Sequence, residues 1–275
     1  MRRPERAERS LLERLALWFL IILVLVAAII LALANWSKLR INQVVVEGAQ
    51  IVKSEEIVGE TKTFLAGQAL PLIPKNHLWW YPAGELQADL MTKFPRLASV
   101  KTFAEWPGQI SVVVTEREPT LLYCGLDRCT FIDQAGRAYA PAPTFSPGVF
   151  LTWSASTTLP NLPFDLTKGA SVSRLIATQK IFNKVFGLLK LPEWRVNKFE
   201  QTPDHDFVFW VEPKTSSTTK AVKWRILINQ ETSPFDLGEN LHTALSSILE
   251  TKKITNLPKL DYVDLRFGKK VFYKL

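Results

Sequence analysis

The segment Leu15–Ala34 constrains this chain more than any other feature, because it holds 20 consecutive residues without a charge. An α-helix rises about 1.5 Å per residue, so a helix of this length spans roughly 30 Å, the hydrocarbon thickness of a bilayer. Trp18 and Trp36 lie near its two ends, where amphipathic rings favour the membrane interface. The segment therefore predicts a single transmembrane helix.

Charges on the N-terminal side of this helix predict its orientation. Residues 1–14 contain five arginines and three glutamates, a net charge of +2. Because arginine-rich flanks favour the cytoplasm, we expect residues 1–14 to be a cytoplasmic tail and the rest of the chain to be extracytoplasmic. A cleaved signal peptide is the alternative, since Ala32-Leu33-Ala34 resembles a cleavage site. The apolar run nevertheless exceeds the roughly 7–15 residues of a signal peptide, which favours an uncleaved anchor.

Motifs that carry chemistry are sparse in the remainder. The chain has three histidines, and no metalloprotease, nucleophile-elbow or phosphate-loop motif occurs in the sequence. Asp204-His205-Asp206 is the one acidic-histidine cluster, but consecutive residues on a turn do not converge on one metal ion. Basic residues form no recognisable nucleic-acid-binding module. We therefore expect no enzymatic activity, no metal or other cofactor, no small-molecule substrate and no nucleic-acid partner.

Cys124 and Cys129 are the only cysteines, and four residues separate them between two apolar runs. This spacing predicts a hairpin with one cysteine on each arm. In an oxidising compartment a cross-strand disulfide fits that arrangement, and two reduced, half-buried thiols are the alternative.

Residues 39–116 predict a small domain with the element order β-α-α-β-β. Ile41–Glu47 is rich in β-branched residues, and Ser54 is the expected N-cap of the first helix. The aromatic run Trp79-Trp80-Tyr81 lies in a proline-bounded loop. We expect at least one of its tryptophans in the core, and leave open whether the others contact a partner or a membrane surface.

Residues 117–275 predict a mixed β domain with flanking helices, so that the whole chain belongs to the α+β class. Val172–Leu189 and Leu237–Thr251 carry apolar stripes at helical spacing. The stretch 141–163 is rich in Pro, Ser and Thr, which predicts an irregular connection. Two short strands, Tyr262–Phe267 and Lys270–Leu275, follow the second helix.

Four segments, in order, resemble the FtsQ/DivIB family of bacterial cell-division proteins. INQVVVEGAQIVKSEEI is similar to the start of that family's POTRA domain, and FPRLASVKTFAEWPGQISVVVTEREP to its final hairpin. CTFIDQAGRAY resembles the hairpin that begins the family's β domain, and YVDLRFGKKVFYK its closing strand pair. The resemblance implies a POTRA domain over residues 39–116 and an FtsQ/DivIB-type β domain over residues 117–275.

This resemblance implies a non-enzymatic, single-pass scaffold of the divisome, in the cytoplasmic membrane at the division septum. Its partners would be FtsB- and FtsL-like membrane proteins and other divisome components, with an FtsB-like segment adding to the last strand as a further strand. Partner-contacting positions then map to Arg266, Phe267, Val271 and Tyr273. Val271 and Tyr273 share a strand face, so core and partner roles compete there.

The resemblance also implies a joint between the POTRA domain and the β domain at Thr115–Pro119. Glu116 and Arg117 would lie at the joint between the two domains, either tying them by hydrogen bonds or forming an exposed pair that contributes about 0–1 kcal/mol. A POTRA-containing, membrane-anchored transport or assembly component is the alternative function, although no series of barrel-length strands follows the POTRA-like region.

Overall fold

The computed structural model describes residues 5–34, 36–70, 73–146, 148–166, 171–214, 223–252 and 260–275. The chain divides into two compact units, Met1–Arg117 and Glu118–Leu275. Each unit has its own hydrophobic core and its own main sheet. The α+β prediction is confirmed.

The first unit begins with an apolar helix and continues as a small α+β domain. Its elements are α1 (Glu5–Ala34), a 3-10 turn (Ser37–Leu39), β1 (Gln43–Glu47), α2 (Ser54–Leu65), β2 (Gln68–Leu70), β3 (Ile73–Pro74), α3 (Ala83–Lys93), β4 (Leu97–Glu105) and β5 (Gln109–Glu116). Helix α1 starts about one turn into the predicted tail, whose first four residues lie outside the described part. The predicted order β-α-α-β-β is confirmed, with the short β2–β3 pair added.

Helix α1 is the one described helix long and apolar enough to cross a membrane. The window Glu13–Ile30 has a mean hydropathy of 2.5, and none of it is buried against the rest of the protein. An exposed apolar helix of this length indicates a single-pass membrane anchor.

The POTRA-like sheet has the order β1-β5-β4, with β1 parallel and β4 antiparallel to the central strand β5. Alternate residues of β5 face the two helices, so Ile110, Val112 and Val114 are buried there. Helix α2 begins one residue earlier than predicted. Lys53 occupies its N-cap position without a side-chain hydrogen bond, so the expected Ser54 cap is wrong.

The described part of the second unit contains ten strands and two helices. They are β6 (Leu121–Cys124), β7 (Cys129–Ile132), β8 (Arg137–Ala142), β9 (Thr152–Ser154), β10 (Phe164–Asp165), α4 (Val172–Leu188), β11 (Trp194–Gln201), β12 (Phe207–Pro213), β13 (Trp224–Ile228), α5 (Pro234–Lys252), β14 (Tyr262–Phe267) and β15 (Lys270–Lys274). All ten strands form one sheet in the order β10-β8-β7-β6-β9-β11-β12-β13-β14-β15. Helices α4 and α5 pack beside it and bury Phe182, Phe186 and Leu241.

Strand β9 corrects the sequence prediction of an irregular connection over 141–163. It pairs in parallel with β6 on one side and with β11 on the other. Its central residue, Trp153, is buried in the core of the unit. A strand of three residues is too short to show an alternation of apolar and polar side chains, so the sequence pattern does not predict it. Pairing with distant strands forms it instead.

Candidate functional site

Strand β15 lies at one end of the ten-stranded sheet. Among the described residues β14 is its only strand neighbour, so its other backbone edge is available for pairing. The opposite end of the sheet is formed by β10, which has two residues where β15 has five. The β15 edge is therefore the longer of the two edges that could accept an additional strand.

Apolar side chains are exposed along this edge. Phe267 is 55% exposed, Phe272 53% and Tyr273 44%. The rings of Phe267 and Phe272 meet edge to face, with 5.3 Å between their centroids. Val271 is half-buried and packs against the core of the unit. Of the two residues predicted to share a face, Val271 thus contributes to the core and Tyr273 remains accessible.

Phe272 is also exposed on this edge, although it was not among the partner-contacting positions predicted from the sequence. Strand alternation places it on the opposite face from Val271, and in the register of the hairpin it lies beside Asp264. A large aromatic residue on the outward face of a lysine-rich strand is the signal that identifies it. Lys269 and Lys270 are exposed beside it and oppose pairing of this edge with a second copy of itself.

Arg266 is held by two carboxylates. Its Nε and Nη2 donate to Oδ1 and Oδ2 of Asp264 at 2.9 and 2.7 Å, and its Nη1 donates to Oδ2 of Asp206 at 3.0 Å. The hydrogen bonds to Asp264, and then the one to Asp206, raise the pKa of Arg266 despite partial burial. The guanidinium also lies 5.6 Å from the ring centroid of Phe267. Arg266 is therefore bonded mainly within the protein, and its predicted partner role stays a prediction.

The Asp204-His205-Asp206 cluster does not form a metal site within the described part of the chain. The Asp206 carboxylate faces Arg266, as just described. His205 adopts a positive φ of 65°, and its carbonyl oxygen accepts a hydrogen bond from Nε2 of Gln230 at 2.6 Å. These contacts are those of a turn between β11 and β12.

Glu116 is bonded within the first unit. Its Oε1 accepts hydrogen bonds from the backbone N–H groups of Gln50, Ile51 and Val52 at 2.8, 2.9 and 3.0 Å. Burial acts to raise the pKa of Glu116, but these three donors outweigh it and leave the pKa below its ordinary value. Glu116 thus fixes the loop between β1 and α2 at the end of the POTRA-like sheet.

Arg117 also bonds to residues of the first unit. Its backbone N–H donates to the carbonyl oxygen of Arg96 at 2.8 Å, and its Nε donates to that of Pro95 at 3.1 Å. These bonds anchor the end of β5 to the start of β4. The predicted inter-domain role of Glu116 and Arg117 stays a prediction.

Cys124 and Cys129 are joined by a disulfide, and they face each other across the β6–β7 pair. The tip of this hairpin has a second attachment. Oδ1 of Asp127 accepts a hydrogen bond from the N–H of Leu159 at 3.1 Å. That bond lowers the pKa of Asp127, against a smaller opposing effect of desolvation.

The aromatic run divides in a way the sequence did not predict. Trp79 is 64% and Trp80 44% exposed, so the expectation of a tryptophan in the core is wrong. Tyr81 instead packs against the core, and its hydroxyl donates to the carbonyl oxygen of Thr102 at 3.1 Å. His77 is fully buried, and its ring stacks on Trp80 with centroids 4.5 Å apart.

The fold and the helix that precedes it define a membrane-anchored POTRA protein. Residues 39–117 match the family model of the POTRA domain, FtsQ-type, and no curated protein matches the chain. The protein therefore carries an FtsQ-type POTRA domain behind an N-terminal apolar helix, an organisation consistent with the FtsQ/DivIB family of cell division. The predicted resemblance is confirmed for this part of the chain.

Proposed function

We propose that this protein is a non-enzymatic, single-pass scaffold of the bacterial divisome that binds FtsB- and FtsL-like membrane proteins during septum formation. The FtsQ-type POTRA domain and the apolar helix before it support a role in cell division at the membrane. One observation supports the location of the proposed binding site. The five-residue edge strand β15 exposes aromatic side chains at the end of a ten-stranded sheet.

Strand addition is the mechanism that this edge supports. A partner segment in extended conformation would pair with the backbone of β15, which supplies affinity, while side chains at alternate positions supply specificity. Tyr273 and Phe272 lie on opposite faces of β15 and would contact the partner from both sides. Each is about half exposed, so covering one of them contributes roughly 1 kcal/mol, about half the value for burying a fully exposed large side chain.

The topology we propose places residues 1–14 in the cytoplasm and both folded units outside it, with the protein concentrated at the septum. The arginine-rich N-terminal flank supports this orientation. The Cys124–Cys129 disulfide also supports it, because disulfides persist in oxidising compartments.

Co-purification with partners tests the binding edge. We would co-express the full chain with FtsB- and FtsL-like proteins from the same organism and measure their recovery from detergent-solubilised membranes. Truncating both Phe272 and Tyr273 to alanine should weaken binding at least about tenfold, because two aromatic contacts are lost together. Phe235→Ala is the matched control, since Phe235 is 65% exposed and belongs to α5, where it lines a groove with Ile181 and Leu188 of α4.

Unchanged binding by the Phe272→Ala/Tyr273→Ala variant would contradict strand addition at β15. Localisation of a fluorescent fusion of the full chain tests the wider proposal. A septal band is the expected result. Even distribution around the envelope throughout the cell cycle would contradict a divisome role and favour a transport or assembly function.

A further inference from the structure

The exposed tryptophans of this protein all belong to the first unit, and one of them, Trp18, lies within α1. The chain contains nine tryptophans. Four of them lie between α1 and the second unit, and they are all exposed: Trp36 (50%), Trp79 (64%), Trp80 (44%) and Trp106 (62%). The four tryptophans of the second unit are buried or half-buried. Tryptophan is large and apolar, so four exposed copies in one small domain and the short connection before it need a physical reason.

Hydrogen bonds attach the loop of Trp79 and Trp80 to the segment that leaves the helix. The N–H of Leu78 donates to the carbonyl oxygen of Leu39 at 2.8 Å, and the N–H of Ile41 donates to that of Asn76 at 2.7 Å. The stacking of Trp80 on the buried His77 ring fixes this part of the loop further. The two exposed indoles are therefore held beside residues 39–41.

The turn that carries Trp106 is attached to the same segment from its other side. The N–H groups of Asn42 and Gln43 both donate to the carbonyl oxygen of Gly108, at 2.9 and 3.2 Å. A side chain at position 108 would place its Cβ 2.6 Å from the carbonyl oxygen of Arg40, so only glycine allows this approach. Both aromatic loops thus meet at residues 39–43.

The connection to α1 keeps this end of the unit near the membrane. Helix α1 ends at Ala34, and Leu39, the first residue bonded to the aromatic loop, follows five positions later. Even a fully extended chain of five residues spans at most about 17 Å. Trp36 lies within this connection, and the exposed Lys38 beside it suits phosphate headgroups.

From this arrangement we infer that Trp36, Trp79, Trp80 and Trp106 form a tryptophan face that contacts the headgroup region of the bilayer holding α1. The inference rests on the membrane anchor of the proposed function. Indole rings prefer this region because they combine an apolar body with a polar N–H group. We assign the bilayer as the surface that covers these tryptophans, because the short connection to α1 keeps the domain close to the membrane at all times. A protein partner would cover them only while it is bound. The face would then set the height and tilt of the POTRA domain over the membrane.

Ile51 provides a matched control position in the same domain. It is 64% exposed, the same as Trp79. Strands β1 and β5 pair in parallel from Gln43 opposite Gln109 to Glu47 opposite Val113. Gly108 precedes this pairing and Ile51 follows it, so the tryptophan face and Ile51 lie at opposite ends of the sheet, roughly 15 Å or more apart.

The test places an environment-sensitive label at each end of the domain. Trp79→Cys and Ile51→Cys variants of the full chain, with the native disulfide left oxidised, would be labelled with nitrobenzoxadiazole and reconstituted in phosphatidylglycerol–phosphatidylethanolamine vesicles. Lipids carrying a nitroxide near the headgroup should quench the label at position 79 at least about threefold more than the label at 51. Equal, weak quenching at both positions would overturn the tryptophan face.

Flotation of the same vesicles separates this inference from the proposed anchor. A chain that fails to float with vesicles contradicts the anchor and the tryptophan face together. A chain that floats while position 79 stays unquenched contradicts the face alone. Protection of position 79 only after FtsB- and FtsL-like proteins are added would identify a protein-binding surface, and would also overturn the inference.

Discussion

Arg266 donates from Nη1 to Oδ2 of Asp206 at 3.0 Å, and this bond joins residues 60 positions apart in the sequence. Arg266 belongs to β14 and Asp206 precedes β12, so the bond crosses β13, which lies between those strands in the sheet. It secures the position of β14 next to the exposed edge. The geometry of the candidate site therefore depends on residues that lie behind the strand a partner would contact.

Replacing Arg266 tests this support. In Arg266→Ala, the Asp264 carboxylate, whose side chain is 8% exposed, loses both of its guanidinium bonds. Leaving a buried carboxylate poorly paired should cost about 2–3 kcal/mol of unfolding free energy. Thermal unfolding of the full chain in detergent measures the loss.

Lys274→Ala is the control for that measurement, because Lys274 forms a longer, 3.7 Å ion pair with Asp261 and its side chain is 65% exposed. Its removal should change stability by no more than about 0.5 kcal/mol. Equal stability of the two variants would mean that the bonds of Arg266 contribute little.

The carboxylate of Glu116 makes the loop at Gln50–Val52 sensitive to acid. The folded-state pKa of Glu116 is lowered from 4.5, so its stabilising contribution is complete above the unfolded value and is lost as the pH falls through the folded value. We expect the amides of residues 50–52 to lose hydrogen-exchange protection, after correction for intrinsic rates, only below about pH 4.5. In Glu116→Gln this pH dependence should disappear, and its persistence would assign the effect to another carboxylate.

Two glycines of the POTRA domain should respond to alanine in opposite directions. Gly108 has a φ of +96° and little space for a Cβ, whereas Gly59 lies within α2 with no atom within 4 Å of an added Cβ. Gly108→Ala should destabilise the domain by more than about 1 kcal/mol, and Gly59→Ala should stabilise it by about 0.5–1 kcal/mol. Hydrogen exchange of the β1 and β5 amides in nanodiscs measures both changes. Stability changes of the same sign in both variants would contradict this prediction, because the backbone at position 108 would then have adapted to the alanine side chain.

Removing the disulfide should have a modest effect. The bridged residues are five positions apart, and closing so short a loop stabilises by about 2 kcal/mol in the chain-entropy description. The Cys124→Ser/Cys129→Ser variant should therefore unfold at a lower temperature yet retain the hairpin, which Asp127 also fastens to Leu159. Circular dichroism spectra and melting curves measure this, and loss of the folded second unit at 25 °C would contradict the prediction.

Periodic features of the sequence predicted most of the fold. The uncharged run of α1 predicted a helix that is apolar on all sides, and the alternation of Ile110, Val112 and Val114 in β5 predicted which residues of that strand are buried. Val172–Leu189 was predicted within one residue of α4 for the same reason. The order of these elements, together with short motifs, was sufficient to identify the FtsQ-type POTRA domain.

Features that depend on distant partners could not be predicted in this way. Strand β9 exists because β6 and β11 flank it, and the partnership of Arg266 with Asp206 depends on the order of strands in the sheet. At least one of Trp79 and Trp80 was predicted to lie in the core, and both are exposed. Their exposure follows from the attachment of their loop to residues 39–41, which no local pattern encodes.

Strand β9 also has a consequence for how the large sheet assembles. All strands on one side of the β9–β11 pairing come from residues 121–165, and all strands on the other side come from residues 194–274. Most pairings are thus local within one half, and loop-closure entropy is lowest for such contacts. We expect each half to form early during folding and the parallel contact between Thr152 and Lys198 to form late, so that truncating Trp153 accelerates unfolding more than it slows refolding.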